Sequence, residues 1–163
     1  MGQQRPRDVV PPSGEAAFDA RIRDAIVRSI RTQSRVPTIA QVASDAGEDE
    51  ADVRASFDRM SAARVFIPKK GSSEIYSYNP FATERTEFRV RSAGREWFAI
   101  CGWDALGIPA ALGSAGTIES TCADCGEPVV IDVDRDGTAT SATGAVLHVG
   151  VKAVDFWKDI YFT

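Results

Sequence analysis

Apolar residues in this chain recur at helical spacing as far as Met60 and mostly at strand spacing beyond it, and this switch of period limits the fold more than any other feature. Phe18, Ile22, Ala25, Ile26 and Ile30 follow an i, i+4, i+7, i+8 pattern, which lays one apolar stripe along a helix. The pattern predicts a first helix that ends near Gln33, with Pro37 blocking its continuation. Thr38 and Gln41 have the T-x-x-Q spacing of a capping box, so a short second helix is expected through Val42 and Ala46. Gly47 fits the left-handed position that closes it. Asp49 can cap a third helix whose core face is Val53, Phe57 and Met60. Residues 1–14, rich in Gln, Arg, Pro and Gly and without periodicity, read as a disordered arm.

Two extended runs follow, Val65–Ile67 and Ile75–Tyr78, joined by the turn-rich Lys69–Ser73. Three helices and a hairpin, over residues 15–80, are the order of a winged helix-turn-helix. Beyond it, Glu87–Val90 and Glu96–Ile100 read as strands around the turn Ser92-Ala93-Gly94. Cys101–Leu112 is helix-like, and Gly107 and Pro109 predict a kink or break in it. Strands are expected again at Thr117–Thr121, Val129–Val133 and Ala145–Val151, and the amphipathic piece Val154–Phe162 ends the chain. The fold class is therefore α+β: a winged-helix-like unit over 15–80, then a mixed or antiparallel sheet with a central kinked helix over 81–163.

The chain has 163 residues, 44% hydrophobic and 26% charged, enough for one compact domain or two small ones. No apolar run approaches the ~18–20 residues that span a bilayer, and no secretory signal precedes the arm, so a cytoplasmic protein is expected. The net charge of −4 and pI near 5.0 argue against nucleic acid as a partner. The third helix, the reading helix of a winged fold, starts with Glu48, Asp49, Glu50 and Asp52, which Arg54 and Arg59 only partly offset. Three cysteines without an export signal point to free thiols or metal ligation rather than disulfides.

The first candidate for chemistry is Cys101-Gly102-Trp103-Asp104. A thiol between a strand and a helix lies at the helix N-terminus, where free N–H groups stabilise a thiolate. Asp104, three residues on, shares its face, so a soft ligand stands beside a proton carrier. The other reading is a cysteine packed as a small hydrophobe, with Asp104 capping the first turn. The second candidate is Cys122-Ala123-Asp124-Cys125-Gly126, a C-x-x-C turn that is half of a zinc knuckle. Zinc needs four ligands; only Cys101 and His148 could supply the rest, and no spacing brings them together. A structural turn, or auxiliary capture of mercury or copper, are the other readings of the pair. His148, on an alternating run, reads as structural or solvent-facing. Trp97, Phe98, Trp103, Phe156, Trp157, Tyr161 and Phe162 most simply supply core area.

Pro80-Phe81, Phe88-Arg89-Val90 and the run from Trp97 through Cys101-Gly102-Trp103-Asp104 to Ala110 resemble the central segment of alkylmercury (organomercurial) lyases. The block from Ser120 to Pro128 and the closing Trp157–Thr163 are similar to later segments of that family. The resemblance implies protonolysis of a carbon–mercury bond, releasing a hydrocarbon and Hg(II), in the service of mercury resistance. It implies an active site of two cysteines and an aspartate with no separate cofactor. Cys101 takes the place of the first catalytic cysteine and Asp104 that of the aspartate, while Cys122 matches a cysteine regarded as structural. The implied partners are an organomercurial, a small-molecule thiol and a mercuric reductase that accepts Hg(II). In relatives the stretch like Asp159–Thr163 runs on to the second catalytic cysteine, and this sequence stops at Thr163. The expectation is therefore weak or absent turnover, with a small-molecule thiol or Cys125 as the substitute donor. Two other readings stay open: a non-catalytic thiol protein that binds Hg, Cu or Zn, and a winged-helix, metal-responsive DNA binder.

Overall fold

The computed structural model describes residues 14–141 and 144–161. Helix α1 spans Gly14–Gln33 and buries Ile22, Ile26, Ser29 and Ile30, the stripe expected from the spacing. Gly14 thus belongs to the helix rather than to the expected arm, whose residues 1–13 lie outside the described residues. Helix α2, Ile39–Ala46, starts on the capping box: Gln41 N–H donates to Thr38 Oγ1 at 3.2 Å, and Thr38 N–H donates to Gln41 Oε1 at 2.9 Å. Such a cap is worth about 1 kcal/mol. Gly47 closes the helix at φ 68°. Helix α3, Glu50–Ala62, is capped by Asp49 and buries Val53, Ser56, Phe57 and Met60.

Strands β1 (Ile67–Pro68), β2 (Ile75–Tyr78) and β3 (Phe81–Ala82) form an antiparallel sheet in that order. A second antiparallel sheet, in the order β5-β4-β6-β7, contains β4 (Phe88–Ser92), β5 (Arg95–Ala99), β6 (Gly116–Thr121) and β7 (Pro128–Val133). The β4–β5 hairpin turns on Ala93 and Gly94 at φ 53° and 72°, the backbone sense that matches strand twist in a two-residue turn. Helix α4, Gly102–Leu112, connects β5 to β6 and buries Ala105, Ile108 and Pro109. The architecture is α+β, as expected, and the second sheet is wholly antiparallel.

The buried side chains of the helical part and of the second sheet form one continuous cluster, from Ile22 and Phe57 to Val90, Ala99 and Ile118. Phe81 on β3 meets Trp97 on β5 with ring centroids 5.1 Å apart, which links the two sheets. Arg95 Nη1 donates to the carbonyls of Arg31 and Thr32 at 3.0 and 2.9 Å, so a cation closes the negative end of α1.

Four expectations need correction. Of the expected kink or break after Cys101, the break is absent: the helix runs on through Gly107 and Pro109. Proline forfeits one backbone bond, but its ring is buried, and its Cγ would stand 3.3 Å from a Cβ on Gly116. The run 145–151 is not a strand, and residues 145–150 of it are exposed. The edge of β7 that it would need is used by the returning chain instead: Val133 bridges Ala139, and Thr140 N–H donates to Asp132 O at 2.7 Å. His148 consequently sits in an exposed irregular segment. The end of the chain forms a short 3₁₀ helix, Ala153–Lys158, with no buried residue. It docks through Trp157, under the Arg64 guanidinium at 5.2 Å, and through Tyr161 Oη, which donates to Pro68 O at 2.6 Å. Trp103, Trp157 and Tyr161 are therefore exposed aromatics rather than core; Phe162 and Thr163 lie outside the described residues.

Candidate functional site

Cys101 stands where β5 ends and α4 begins. Its extended backbone, φ −152° and ψ 169°, makes it the N-cap of α4, and its carbonyl accepts the first helical bond, from Ala105 N–H at 3.0 Å. Its Sγ takes the role that a serine oxygen usually plays there, accepting from Asp104 N–H at 3.4 Å. The segment ahead of β4 is tied to the end of β5 by Thr86, whose Oγ1 donates to Ala99 O at 2.5 Å and accepts from Phe88 N–H at 3.2 Å. Nothing in the sequence marked Thr86, because the bond crosses between strands.

Cys101 and Asp104 stand on the same first turn, close enough for each side chain to act on the other's protonation. Burial pushes the Cys101 thiol up; the N–H groups of Asp104 and Trp103 oppose the rise, and the Asp104 carboxylate adds to it. The expected thiolate stabilisation at the helix head is thus present but outweighed by desolvation. Burial also raises the Asp104 carboxyl, with the hydrogen bond from Cys101 acting the other way. Two weak acids in contact, both held toward their protonated forms, can pass a proton between them when a cation takes the sulfur.

The surroundings are apolar. Trp103 is 71% exposed and Leu147 44% exposed, next to the half-buried Phe88. A Cβ on Gly102 would come within 2.8 Å of Leu147 Cδ1 and 3.5 Å of Phe88 Cε1, so the bare helix head lets the 144–151 segment lie over it. That coverage could not be read from the sequence, where the same alternating residues looked like a strand.

Cys122 follows β6 and Cys125 lies on the turn to β7. Cys122 N–H donates to Glu127 O at 2.8 Å, Gly126 N–H returns to Cys122 O at 2.9 Å, and Gly126 reverses the chain at φ 76°. The N–H groups of Cys125 and Asp124, and after them the Cys125 side chain, hold the Cys122 thiol below its usual value. β5 and β6 both pair antiparallel with β4, so Cys101 and the C-x-x-C turn leave the sheet at the same end. Two strand spacings, roughly 10 Å of sheet, separate their strands. All three cysteines are free thiols. Cys101, Cys122, Cys125 and His148 are not assembled: among the described residues no group of three or more His, Cys, Asp or Glu is placed to hold a metal ion. A surface depression of about 810 Å³ lies at the opposite end of the sheet, lined by Arg91, Arg95, Asp132 and Asp134, and contains no thiol. No described helix is long and apolar enough to cross a membrane.

No curated protein matches the chain. Its fold is similar to the crystal structure of the mercury-bound form of MerB2, with a TM-score of 0.58 and 22% identity. That similarity covers 82% of this chain and 61% of the other, so the chain spans about three fifths of the length of that structure. The family model for alkylmercury lyase, MerB, matches residues 81–162, half of the chain, and that stretch contains Cys101, Asp104 and the C-x-x-C turn. The chain belongs to the alkylmercury lyase family.

Proposed function

We propose that this protein is organomercurial lyase-like, with Cys101 as the mercury ligand and Asp104 as the proton carrier. The observation that carries this reading is the head of α4 itself, where the Cys101 sulfur caps the helix and accepts from Asp104 N–H at 3.4 Å, which sets the thiol and the half-buried carboxyl residue on one turn. An organomercurial thiolate keeps its small-molecule thiolate and gains Cys101: the sulfur bonds mercury, and the proton it gives up passes to the Asp104 carboxylate. Thiolates match mercury in softness, and each added thiolate makes the bound carbon more basic. A small-molecule thiol serves as the second ligand. Asp104 delivers its proton to the carbon as the carbon–mercury bond breaks, leaving a hydrocarbon and Hg(II) on sulfur. Trp103 and Leu147 offer the organic group an apolar surface.

No separate cofactor enters this scheme, and a mercuric reductase is the expected acceptor of Hg(II). Residues 81–163 carry the chemistry in this reading, with residues 15–80 as a winged-helix-like packing surface. Three free thiols fit a reducing, cytoplasmic setting. The DNA-binding reading loses ground, since Arg54 already pairs with Glu50 at 3.2 Å and Arg59 with Asp19 at 2.6 Å.

The test is hydrocarbon release. Incubation with phenylmercury and excess monothiol should yield benzene, and Cys101→Ser should abolish it. Absence of benzene from the unaltered chain, or equal release from the variant, overturns the reading.

A further inference from the structure

We propose that Cys122 and Cys125 form a second, separate site, a two-thiolate clamp for a soft, two-coordinate cation such as Hg(II). Three observations carry it. The two cysteines lie three residues apart on the one short turn between β6 and β7, so a single reversal of the chain carries both thiols. The turn is rigidly specified by the Cys122–Glu127 and Gly126–Cys122 backbone bonds and by the left-handed Gly126. Cys125 is exposed and Cys122 partly so, which leaves the pair open to an incoming ion.

The donor count selects the ion. Zinc in a structural site takes four ligands, and among the described residues no third His, Cys, Asp or Glu joins the pair. Two thiolates alone suit a soft cation that is content with two sulfurs.

Loading is ligand exchange without redox chemistry. Mercury arrives bound to two small-molecule thiolates; Cys122 and Cys125 each form one sulfur–mercury bond and give up one proton. Each departing thiolate takes one of those protons, so two thiols leave as two are consumed. The second exchange is intramolecular, and linking two donors in this way strengthens binding by about 10²–10⁴-fold over one donor.

The site is tested in the full reduced chain carrying Cys101→Ser, which removes the proposed lyase thiol and keeps the two proposals distinguishable. Mercuric ion is added in the presence of excess glutathione, and bound metal is read by intact mass and by protection from iodoacetamide. One mercury per chain, with both remaining thiols protected, is expected. Adding Cys125→Ser, a change at an exposed turn position, should weaken retention by about 10²–10⁴-fold. Equal retention by the two variants, mercury shared between two chains, or tightly held zinc on the pair in the isolated protein would each overturn the proposal. In the unaltered chain, alkylation of Cys122 and Cys125 undiminished by mercuric ion would do the same.

Discussion

The two thiol-bearing corners of this protein lie at the same end of one sheet yet are held in opposite states. At the head of α4, Cys101 is half-buried beside a carboxyl group, and its thiol is pushed up. On the β6–β7 turn, Cys122 is partly exposed, and the N–H groups of Cys125 and Asp124 pull its thiol down. Backbone N–H groups reach the sulfur in both places. The sign is decided by desolvation and by the neighbouring carboxylate, which only the first corner has. A protonated thiol beside an acid suits proton transfer; a readily ionised thiol with a second cysteine on the same turn suits capture.

The sharpest way to break this contrast is to remove the acid. Asp104→Asn should lower hydrocarbon release by about 10²–10⁴-fold, the usual worth of a positioned proton donor, and leave mercury capture by the C-x-x-C pair intact. Stability should not fall with it. The folded carboxyl is raised, so its stabilising contribution is full below the unfolded pKa and is lost as pH rises through the folded one. At neutral pH an asparagine therefore removes a penalty, and thermal melting should show an unchanged or higher midpoint.

The seat of α4 offers a second test. A Cβ on Gly116 would approach Arg91 O to 2.6 Å and Ser92 Cβ to 2.9 Å, and backbone cannot yield as a flexible side chain can. Gly116→Ala should cost about 1–3 kcal/mol in chemical denaturation. Gly102→Ala meets only the movable end of Leu147 within 3.0 Å and should cost less. If the order is reversed, the close packing of β4, β6 and α4 is not what fixes the Cys101 corner.

Alkylation sharpens the comparison at a smaller scale. Followed by peptide mass across pH, Cys122 should react with iodoacetamide several-fold faster than Cys101 at neutral pH, and Cys101 should catch up only in alkali. Equal rates would show that the two corners do not differ as argued. The smallest effect lies in the scaffold. Asp19 is held below its usual range, first by its bond to Arg59, so the pair stabilises above the unfolded carboxyl pKa and loses that contribution as pH falls through the folded one. The pair is partly exposed and screened, so Arg59→Met should cost under about 1 kcal/mol at neutral pH, and the difference in unfolding free energy should vanish in acid.

Much of the fold was legible because its signals are local. The stripe of α1, the Thr38–Gln41 box, the Gly47 stop and the hairpin at Ala93-Gly94 each depend on residues within a few positions, and all appear where spacing predicts. The misreadings arose where a local signal needed a distant partner. Alternation over 145–151 has strand period but pairs with no strand, the Asp132–Val133 end of β7 being taken by 139–140, and Pro109 has a helix-breaking side chain but a buried seat. Of the site, the C-x-x-D spacing already placed Cys101 and Asp104 on one helix face, since a helix turn brings the third residue on into reach.

The sequence by itself determined which thiols exist, which elements carry them and that Asp104 stands one turn from Cys101. Only the tertiary structure decided how each thiol is charged, because protonation depends on what removes water and which groups face the sulfur. Burial around α4 and the Leu147 segment over Gly102 come from contacts far apart in the chain, as does the meeting of both cysteine corners at one end of the sheet. Local spacing brings ligands within reach; the environment that sets their chemistry is assembled by the whole fold.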